Sequence, residues 1–363
     1  MSPSSSRYLE IDVLRTLAIF SMVSVHFCEN LAGTTPPFTG FGAPLFAFLS
    51  GVSYHLWRSA QERRGRAEGE IAKATVRRGL FLLGLGFAFN VFVWLPEDTF
   101  NWDVLSFLGV AWMSLELVRR WPLPVLAFAA LVIYVLSPVA RGIADYPAYW
   151  TAGYFDPDLT LSDVMLGALV TGYFPLLPWI VYPWVGYAIG STLFGTAARA
   201  GSPRLAQRAG TALVVFAGTL LFVQQRWPAL LPRGARDAWT MFPPSLAYVA
   251  GSLGLAMLVL AWLPRVLPNE DRRSSRALHL VARTFSRHAL TLYLLHHVVH
   301  LWPLWIAAGL NGEEPTAYWR AASSTPAAAL LAAGFLIASY LGLRWMDRQG
   351  RRGIEDLMRW LCD

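Results

Sequence analysis

Arg15 and His26 stand eleven residues apart in the first long apolar stretch of the chain, residues 13–31. Most helices that span a bilayer carry neither a cation nor an imidazole. Eleven residues is close to three helical turns, so the two side chains share one face, about 16 Å apart along the axis. Asp12, Arg15, Ile19, Met22 and His26 recur at alternating steps of three and four, the seam of that face. Asp12 can therefore pair with Arg15. Ionisable groups at membrane depth are costly unless they line a cavity or a pathway, which marks the face as a candidate site. Its chemistry would be proton transfer: a histidine near its ordinary pKa accepts a proton from a hydroxyl or amine as that group attacks an electrophile. Taken alone, the same residues also fit a snorkelling Asp12 and Arg15 pair and a His26 bonded to a backbone carbonyl.

Other residues are candidates for the same site. The basic join after the second apolar run holds Lys73, Arg77 and Arg78, cations that either bind phosphate groups or simply mark a cytoplasmic loop. Ser50 and Gly51 fall near mid-depth of that second run, where a small pair either lets helices pack closely or lines a channel. Asn101, Trp102 and Asp103 precede the fourth run; Asn101 suits a helix cap, Trp102 a membrane interface and Asp103 a polar contact to an acceptor. His296, His297 and His300 lie on the ninth run at a depth similar to His26, and positions 296 and 300 share a helix face, as a metal site would need. No Glu follows either His as in a zinc-protease helix, and no Cys or carboxylate cluster completes a ligand set, so no metal is expected. His296 and His297 are then either acceptor-side residues that orient His26 or plain interface residues. Glu116 reads as a snorkelling or Arg-paired carboxylate rather than an acid catalyst.

The elements that must position these residues are membrane helices. With 363 residues, 55 % hydrophobic, 14 % aromatic and only 15 % charged, and a mean hydropathy of +0.42, the chain lies outside the range of ordinary soluble domains. The net charge is +7, but the Arg residues cluster between apolar runs rather than along an aromatic groove, which excludes a nucleic-acid partner. An anionic cytoplasmic leaflet accounts for them. Two cysteines, Cys28 and Cys362, imply no disulfide framework. The first run is too long for a signal-peptide core and lacks a cleavage site, so it is read as an uncleaved span.

Runs long enough to cross a bilayer fall near residues 13–31, 41–57, 79–95, 104–118, 122–139, 174–194, 209–224, 243–263, 285–306 and 324–345. Alternate joins are basic: 58–78 (Arg58, Arg63, Arg64, Arg66, Lys73, Arg77, Arg78), 119–120 (Arg119, Arg120), 199–208 (Arg199, Arg204, Arg208) and 265–287 (Arg265, Arg272, Arg273, Arg276, Arg283, Arg287). The intervening joins are poorer in positive charge: 32–40 has none, 96–103 carries Glu97, Asp98 and Asp103, and 307–323 carries Glu313, Glu314 and Arg320. One join strains the rule, since 225–242 holds Arg226, Arg233 and Arg236 on the outer side. The stretch 140–173, with Asp145, Asp156, Asp158 and Asp163, holds a segment from 161 to 173 too short to span but suited to a re-entrant or interfacial helix. The expected fold is an all-α polytopic membrane protein of about ten helices, eleven possible, with both termini cytoplasmic. It divides into a cytoplasmic lead (1–12), a single transmembrane domain (13–345) and a cytoplasmic basic tail (346–363) that includes Arg348, Arg351, Arg352 and Arg359. The expected location is the inner (plasma) membrane, crossed many times.

Residues 7–26, RYLEIDVLRTLAIFSMVSVH, resemble the opening of the transmembrane acyltransferase superfamily, which includes the acyltransferase-3 family and the bacterial relatives of heparan-α-glucosaminide N-acetyltransferase. The match includes an Arg, ten intervening residues and a His, here Arg15 and His26, a pair the acyltransferase-3 resemblance implies is essential. FGAPLFAFLSGVS (41–53) resembles the second-span motif ending in Ser-Gly, and FNWDVLSFLGVA (100–111) the Trp-Asp-x-Leu motif of the glucosaminide acetyltransferase branch. FPLLPWIVYPWVGYAIG (174–190) is similar to that branch's Phe-Pro-Leu-Leu-Pro-Trp span, and SRHALTLYLLHH (286–297) to the late span with Leu-Tyr-Leu and a His. The glucosaminide enzymes place their functional His in the loop after the first span. Residues 29–42 hold none here, so the resemblance turns toward the acyltransferase-3 pattern, with His26 at the membrane edge.

The resemblance implies a membrane acyltransferase. It would move an acyl group, acetyl foremost, from cytoplasmic acetyl-CoA or another acyl-CoA to a hydroxyl or amine of a carbohydrate or related acceptor at the outer face. Arg15 would hold the cytoplasmic end of the donor with Ser50, Lys73, Arg77 and Arg78. His26, aided by Asp12, would meet the thioester, either by direct transfer or through an acyl-His. Asn101, Asp103, His296 and His297 would face the acceptor. A proton-coupled transporter or exporter is the competing reading, because a helical bundle with buried Arg, Asp and His is also what a carrier offers; the lack of inverted halves argues against it.

Overall fold

The computed structural model describes residues 8–94, 99–150, 160–195, 203–267 and 273–363. Of the residues named above, Arg7, Glu97, Asp98, Asp156, Asp158, Arg199 and Arg272 lie outside the described residues, as do the side chains of Arg233 and Arg273. In chain order the helices are α1 Leu9–Ala32, α2 Gly42–Arg63, α3 Glu68–Val93, α4 Val104–Val118, α5 Leu123–Ile143, α6 Tyr146–Ala148, α7 Leu161–Leu166, α8 Leu176–Trp179, α9 Val181–Leu193, α10 Arg204–Arg226, α11 Leu246–Val266, α12 Arg273–Arg287, α13 Ala289–Asn311, α14 Thr325–Arg348 and α15 Ile354–Cys362. Among the described residues the only extended pairing is an isolated bridge between Met241 and Pro244.

Among the described residues, eight segments are long and apolar enough to cross a membrane: α1, α3, α5, the run Leu161–Leu193 that contains α7 to α9, then α10, α11, α13 and α14. The two other expected spans are also helical. One is α2, 22 residues ending in the polar sequence RSAQER, and the other is the 15-residue α4. The protein is thus an all-α, multi-pass membrane protein.

Several boundaries differ from the apolar runs for physical reasons. α3 starts at Glu68 rather than near 79, because Glu, Ala, Lys and Arg sustain helix as well as apolar residues do. Much of the basic join is therefore a helical extension. The ninth span starts at Ala289 rather than 285, since Phe285 to Arg287 complete α12 and His288 leaves helical geometry with φ −109° and ψ 29°. α12 itself, read from sequence as part of a basic join, is amphipathic: it buries Ala282 and Phe285 on one side and carries arginines on the other. The segment 161–173 is a capped turn of helix, with Thr160 and Asp163 forming a capping box, that widens into a π-helical turn at Gly167–Thr171.

The chain forms two compact units, one made of the chain through Ala43 with Pro264–Leu361, the other of Pro44–Leu263. In the first, α1 packs against α12, α13 and α14, burying Leu14, Ile19, Val23, Phe285 and Leu292. α1 is closed by Gly33, whose φ of 62° lets its own N–H reach the Glu29 carbonyl and the Thr34 N–H that of Cys28. In the second unit α3 packs on α4 and α5 on α9, around the buried aromatics Phe48, Tyr54, Phe107, Trp179, Tyr182 and Tyr248. There α2 and α9 touch backbone to backbone. A Cβ on Gly51 would fall 1.9 Å from the Pro183 carbonyl oxygen, and one on Gly186 would fall 2.0 Å from that of Phe48.

Candidate functional site

The N-terminal end of the α1 face is tied down by a serine from α12. Ser286 Oγ donates to Asp12 Oδ1 at 2.5 Å and accepts from Arg15 Nη1 at 2.7 Å, so one hydroxyl joins the two expected partners. Arg15 also reaches the Ser286 carbonyl at 3.4 Å. Thr16 Oγ1 lies within bonding distance of the Asp12 carbonyl (2.8 Å) and of the Ala282 carbonyl (3.1 Å), stitching α1 to α12. Sequence reading did not single out Ser286, although it opens the late motif SRHALTLYLLHH; the signal was present in the motif but not in the spacing.

Three turns further along α1, His26 meets the imidazoles of α13. Its ring centroid lies 5.4 Å from that of His296 and 4.7 Å from that of His297, and those two are 3.9 Å apart. His296 and His297 are buried and His26 half-buried. Adjacent helix positions differ by about 100° in direction, yet both rings reach α1, an arrangement that the shared face of 296 and 300 did not suggest. Each imidazole of α13 is pinned from Nδ1 to the carbonyl one turn back: His296 to Leu292 at 3.0 Å, His297 to Tyr293 at 3.3 Å and His300 to His296 at 2.5 Å. His300 turns aside to Asn30, whose Nδ2 lies 2.8 Å from its Nε2. Asn30 is in turn held by the join before α14, through Arg320 N–H to its carbonyl at 2.7 Å, with Ser323 N–H on the Leu31 carbonyl at 2.9 Å.

Pro303 within α13 has no N–H to give the Val299 carbonyl, loosening the helix one turn beyond His300. Beside the cluster lies an apolar cavity of about 890 Å³ lined by residues of α1, α13 and α14, with Phe27, Leu31, Val299, Phe335 and His300 in its wall. The base of α13 is fixed by the last helix: Glu355 of α15 accepts from Thr291 N–H at 2.8 Å and from Thr291 Oγ1 at 2.7 Å.

The remaining candidates belong to the second unit. Ser50 Oγ donates to the Ala47 carbonyl of its own helix at 2.7 Å, and neighbouring Gly51 makes the close approach to α9. Lys73 and Arg77 are exposed and four residues apart, on one side of α3, where they line a cleft of about 390 Å³ with Ala72 and Val76. Arg78 is buried, its guanidinium stacked 4.5 Å over Trp57 and 5.8 Å from Trp112. Of the three, Lys73 and Arg77 are the cations presented to solvent.

Asp103, not Asn101, occupies the N-cap position of α4, without a side-chain cap hydrogen bond. The Asn101 carbonyl instead accepts from Asn90 Nδ2 at 2.8 Å. Trp102 is buried rather than interfacial, its carbonyl taking the Phe174 N–H at 3.3 Å. Sequence reading paired Glu116 with an arginine. The structure gives it two: Oε2 accepts from Arg58 Nη1 and from Tyr54 OH, and Oε1 accepts from Arg119 Nε, all at 2.7 Å. Arg119 and Arg120 also meet Glu68.

The fold and the buried polar face of α1 define a polytopic membrane protein with ionisable side chains inside its helical packing. Residues 7–223 match the family model for the catalytic domain of heparan-alpha-glucosaminide N-acetyltransferase, and the chain belongs to that family. The match includes Asp12, Arg15 and His26 and ends before α12 and α13, which supply Ser286, His296 and His297. No curated protein matches the chain.

Proposed function

We propose that the protein is an acyl-CoA-dependent membrane acyltransferase that moves an acyl group, acetyl foremost, onto a hydroxyl or amine of a carbohydrate acceptor at the outer face of the plasma membrane. The observation that carries this reading is His26: it lies within the family match and stands at the meeting of three imidazoles. Arg15, about 16 Å away by helical rise, supports a donor lying along α1, because a pantetheine arm is of comparable reach. Positive-inside counting supports Arg15 near the cytoplasm, where acyl-CoA is made, and both termini on that side.

In this reading Arg15, held by Ser286 and Asp12, receives the coenzyme end of the donor, and the exposed Lys73 and Arg77 attract its phosphates. Arg78 and Ser50 support the donor side by packing rather than by contact. His26 takes the proton of the acceptor hydroxyl or amine as that oxygen or nitrogen bonds to the acyl carbon; the carbon–sulfur bond breaks and the coenzyme leaves as its thiolate. His296 and His297 orient His26, while Asn101 and Asp103 belong to the acceptor side. Residues 13–345 form the membrane domain and 346–363 the cytoplasmic tail.

The test is consumption of radiolabelled acetyl-CoA by purified protein in detergent, with a panel of amino sugars as acceptors, comparing wild type with His26→Ala. Labelled acceptor from wild type and none from the variant is the expected result. Wild type that neither binds nor consumes acetyl-CoA removes the reading, and proton-gradient-dependent flux in liposomes without acetyl-CoA would replace it with transport.

A further inference from the structure

His26, His296 and His297 come together from two helices remote in sequence, and one ring nitrogen of each lies within 4.8 Å of the other two. Their hydrogen bonds fix which nitrogen keeps its lone pair. His296 and His297 give Nδ1–H to the carbonyls of Leu292 and Tyr293, so Nε2 is the basic atom of each. Nε2 of His296 is buried and has no hydrogen-bond partner among the described residues. Leaving such an atom unsatisfied in an apolar interior is unfavourable, and a bound ion would offset it. His300 differs, because its Nδ1 is bonded to the His296 carbonyl and its Nε2 to Asn30.

We propose that His26, His296 and His297 form a binding site for a first-row divalent transition-metal ion, Zn2+ foremost. Imidazole nitrogen suits Zn, Cu and Ni, whereas Mg and Ca take oxygen ligands. Zn–N bonds of about 2.0–2.1 Å in a tetrahedron set the nitrogens roughly 3.4 Å apart, so the three rings need to close by about 1 Å. The carbonyls that hold Nδ1 of His296 and His297 are the outer partners that metal-bound histidines ordinarily have. Three imidazoles leave a fourth position for water or a substrate oxygen, as catalytic rather than structural zinc sites do. Half-buried His26 gives the ion a way in. Sequence reading set metal aside because the pair at 296 and 300 lacked further ligands; the structure supplies the third imidazole from α1 and pairs 296 with 297. The site uses the His26 lone pair to which proton transfer was assigned, but it does not depend on acyl transfer.

The test uses the full chain in detergent, freed of any polyhistidine tag and stripped of metal, titrated with Co2+ and followed by the visible absorbance of four-coordinate cobalt. Saturation near one equivalent, reversed by Zn2+, is expected. His26→Ala, His296→Ala and His297→Gln should each weaken binding by at least about 10–100-fold, while His279→Ala on α12 should bind as wild type does. A direct reading on wild type removes dependence on how the variants fold: Zn2+ should shield His26 from diethyl pyrocarbonate, measured by mass spectrometry. Absence of the four-coordinate spectrum, retention of full affinity by His26→Ala, or unchanged labelling of His26 at saturating Zn2+ would each overturn the site. Acetyl-CoA consumption by the metal-stripped protein is scored separately, so loss of one reading is distinguishable from loss of the other.

Discussion

Glu116 in the second unit accepts three hydrogen bonds at 2.7 Å from Tyr54, Arg58 and Arg119, whereas His296 in the first unit keeps a buried nitrogen with no hydrogen-bond partner among the described residues. Both are polar groups inside apolar helical packing, and they answer the cost of burial differently. The carboxylate is braced from several sides, and Arg58 adds Glu62 at 2.9 Å. A charge so fully engaged has little capacity left for a ligand, and its role is to hold α2 and α4 in register. The imidazoles are neutral-capable groups whose burial is tolerable without a counter-ion, and His296 is fixed through Nδ1 while its Nε2 keeps its lone pair. Stability is concentrated where every partner is engaged, and chemistry where one is missing.

Substitutions can sharpen or break that contrast. The largest effect is expected from His26→Ala, which should lower kcat by about 10²–10⁴-fold with an unchanged elution profile; a kcat near wild type would remove His26 from the chemistry. Glu116→Ala comes next: it removes the carboxylate shared by Tyr54, Arg58 and Arg119 while Glu62 and Glu68 stay with the arginines, and should cost about 3 kcal/mol of stability, read as a lower Tm. Acetyl transfer per folded molecule should survive it; its loss at an unchanged Tm would make the network part of the site. Ser286→Ala removes the hydroxyl between Asp12 and Arg15 and should cost about 1–3 kcal/mol. In addition, KM for acetyl-CoA should rise more than kcat falls, because Arg15 loses its anchor. The smallest effect belongs to Arg77→Gln: an exposed cation contributes about 0.2–1 kcal/mol, so KM for acetyl-CoA should rise by no more than roughly fivefold and less in high salt, with kcat constant.

The apolar runs located the eight segments long and apolar enough to cross a membrane, together with α2 and α4, because hydrocarbon length leaves few alternatives. What they did not reveal were the helices that lie outside that rule. α12 carries arginines beside its apolar residues and reads as a basic join, α15 falls in the basic tail, and the first turns of α3 are polar yet helical. In the site, Arg15 and His26 were legible because a fixed helical rise relates them. Ser286 and the convergence of His297 with His26 were not, because those contacts depend on how α12 and α13 pack against α1, and no local spacing encodes that. The same limit explains Arg78: the sequence shows a cation in a basic join, and only packing shows it lying on Trp57.

The bond between Asn30 and His300 closes a span of 270 residues. During synthesis α1 is therefore in the bilayer long before its imidazole partners exist, and His26 waits through the insertion of nearly every other span. Closing so long a loop costs only modestly more than closing a short one, so the delay is one of order rather than of energy. Glu355 of α15, later still in the chain, makes a further link at the foot of α13 through Thr291. His26 thus comes early in the chain and His296 and His297 late, so the three rings meet only after the intervening helices exist.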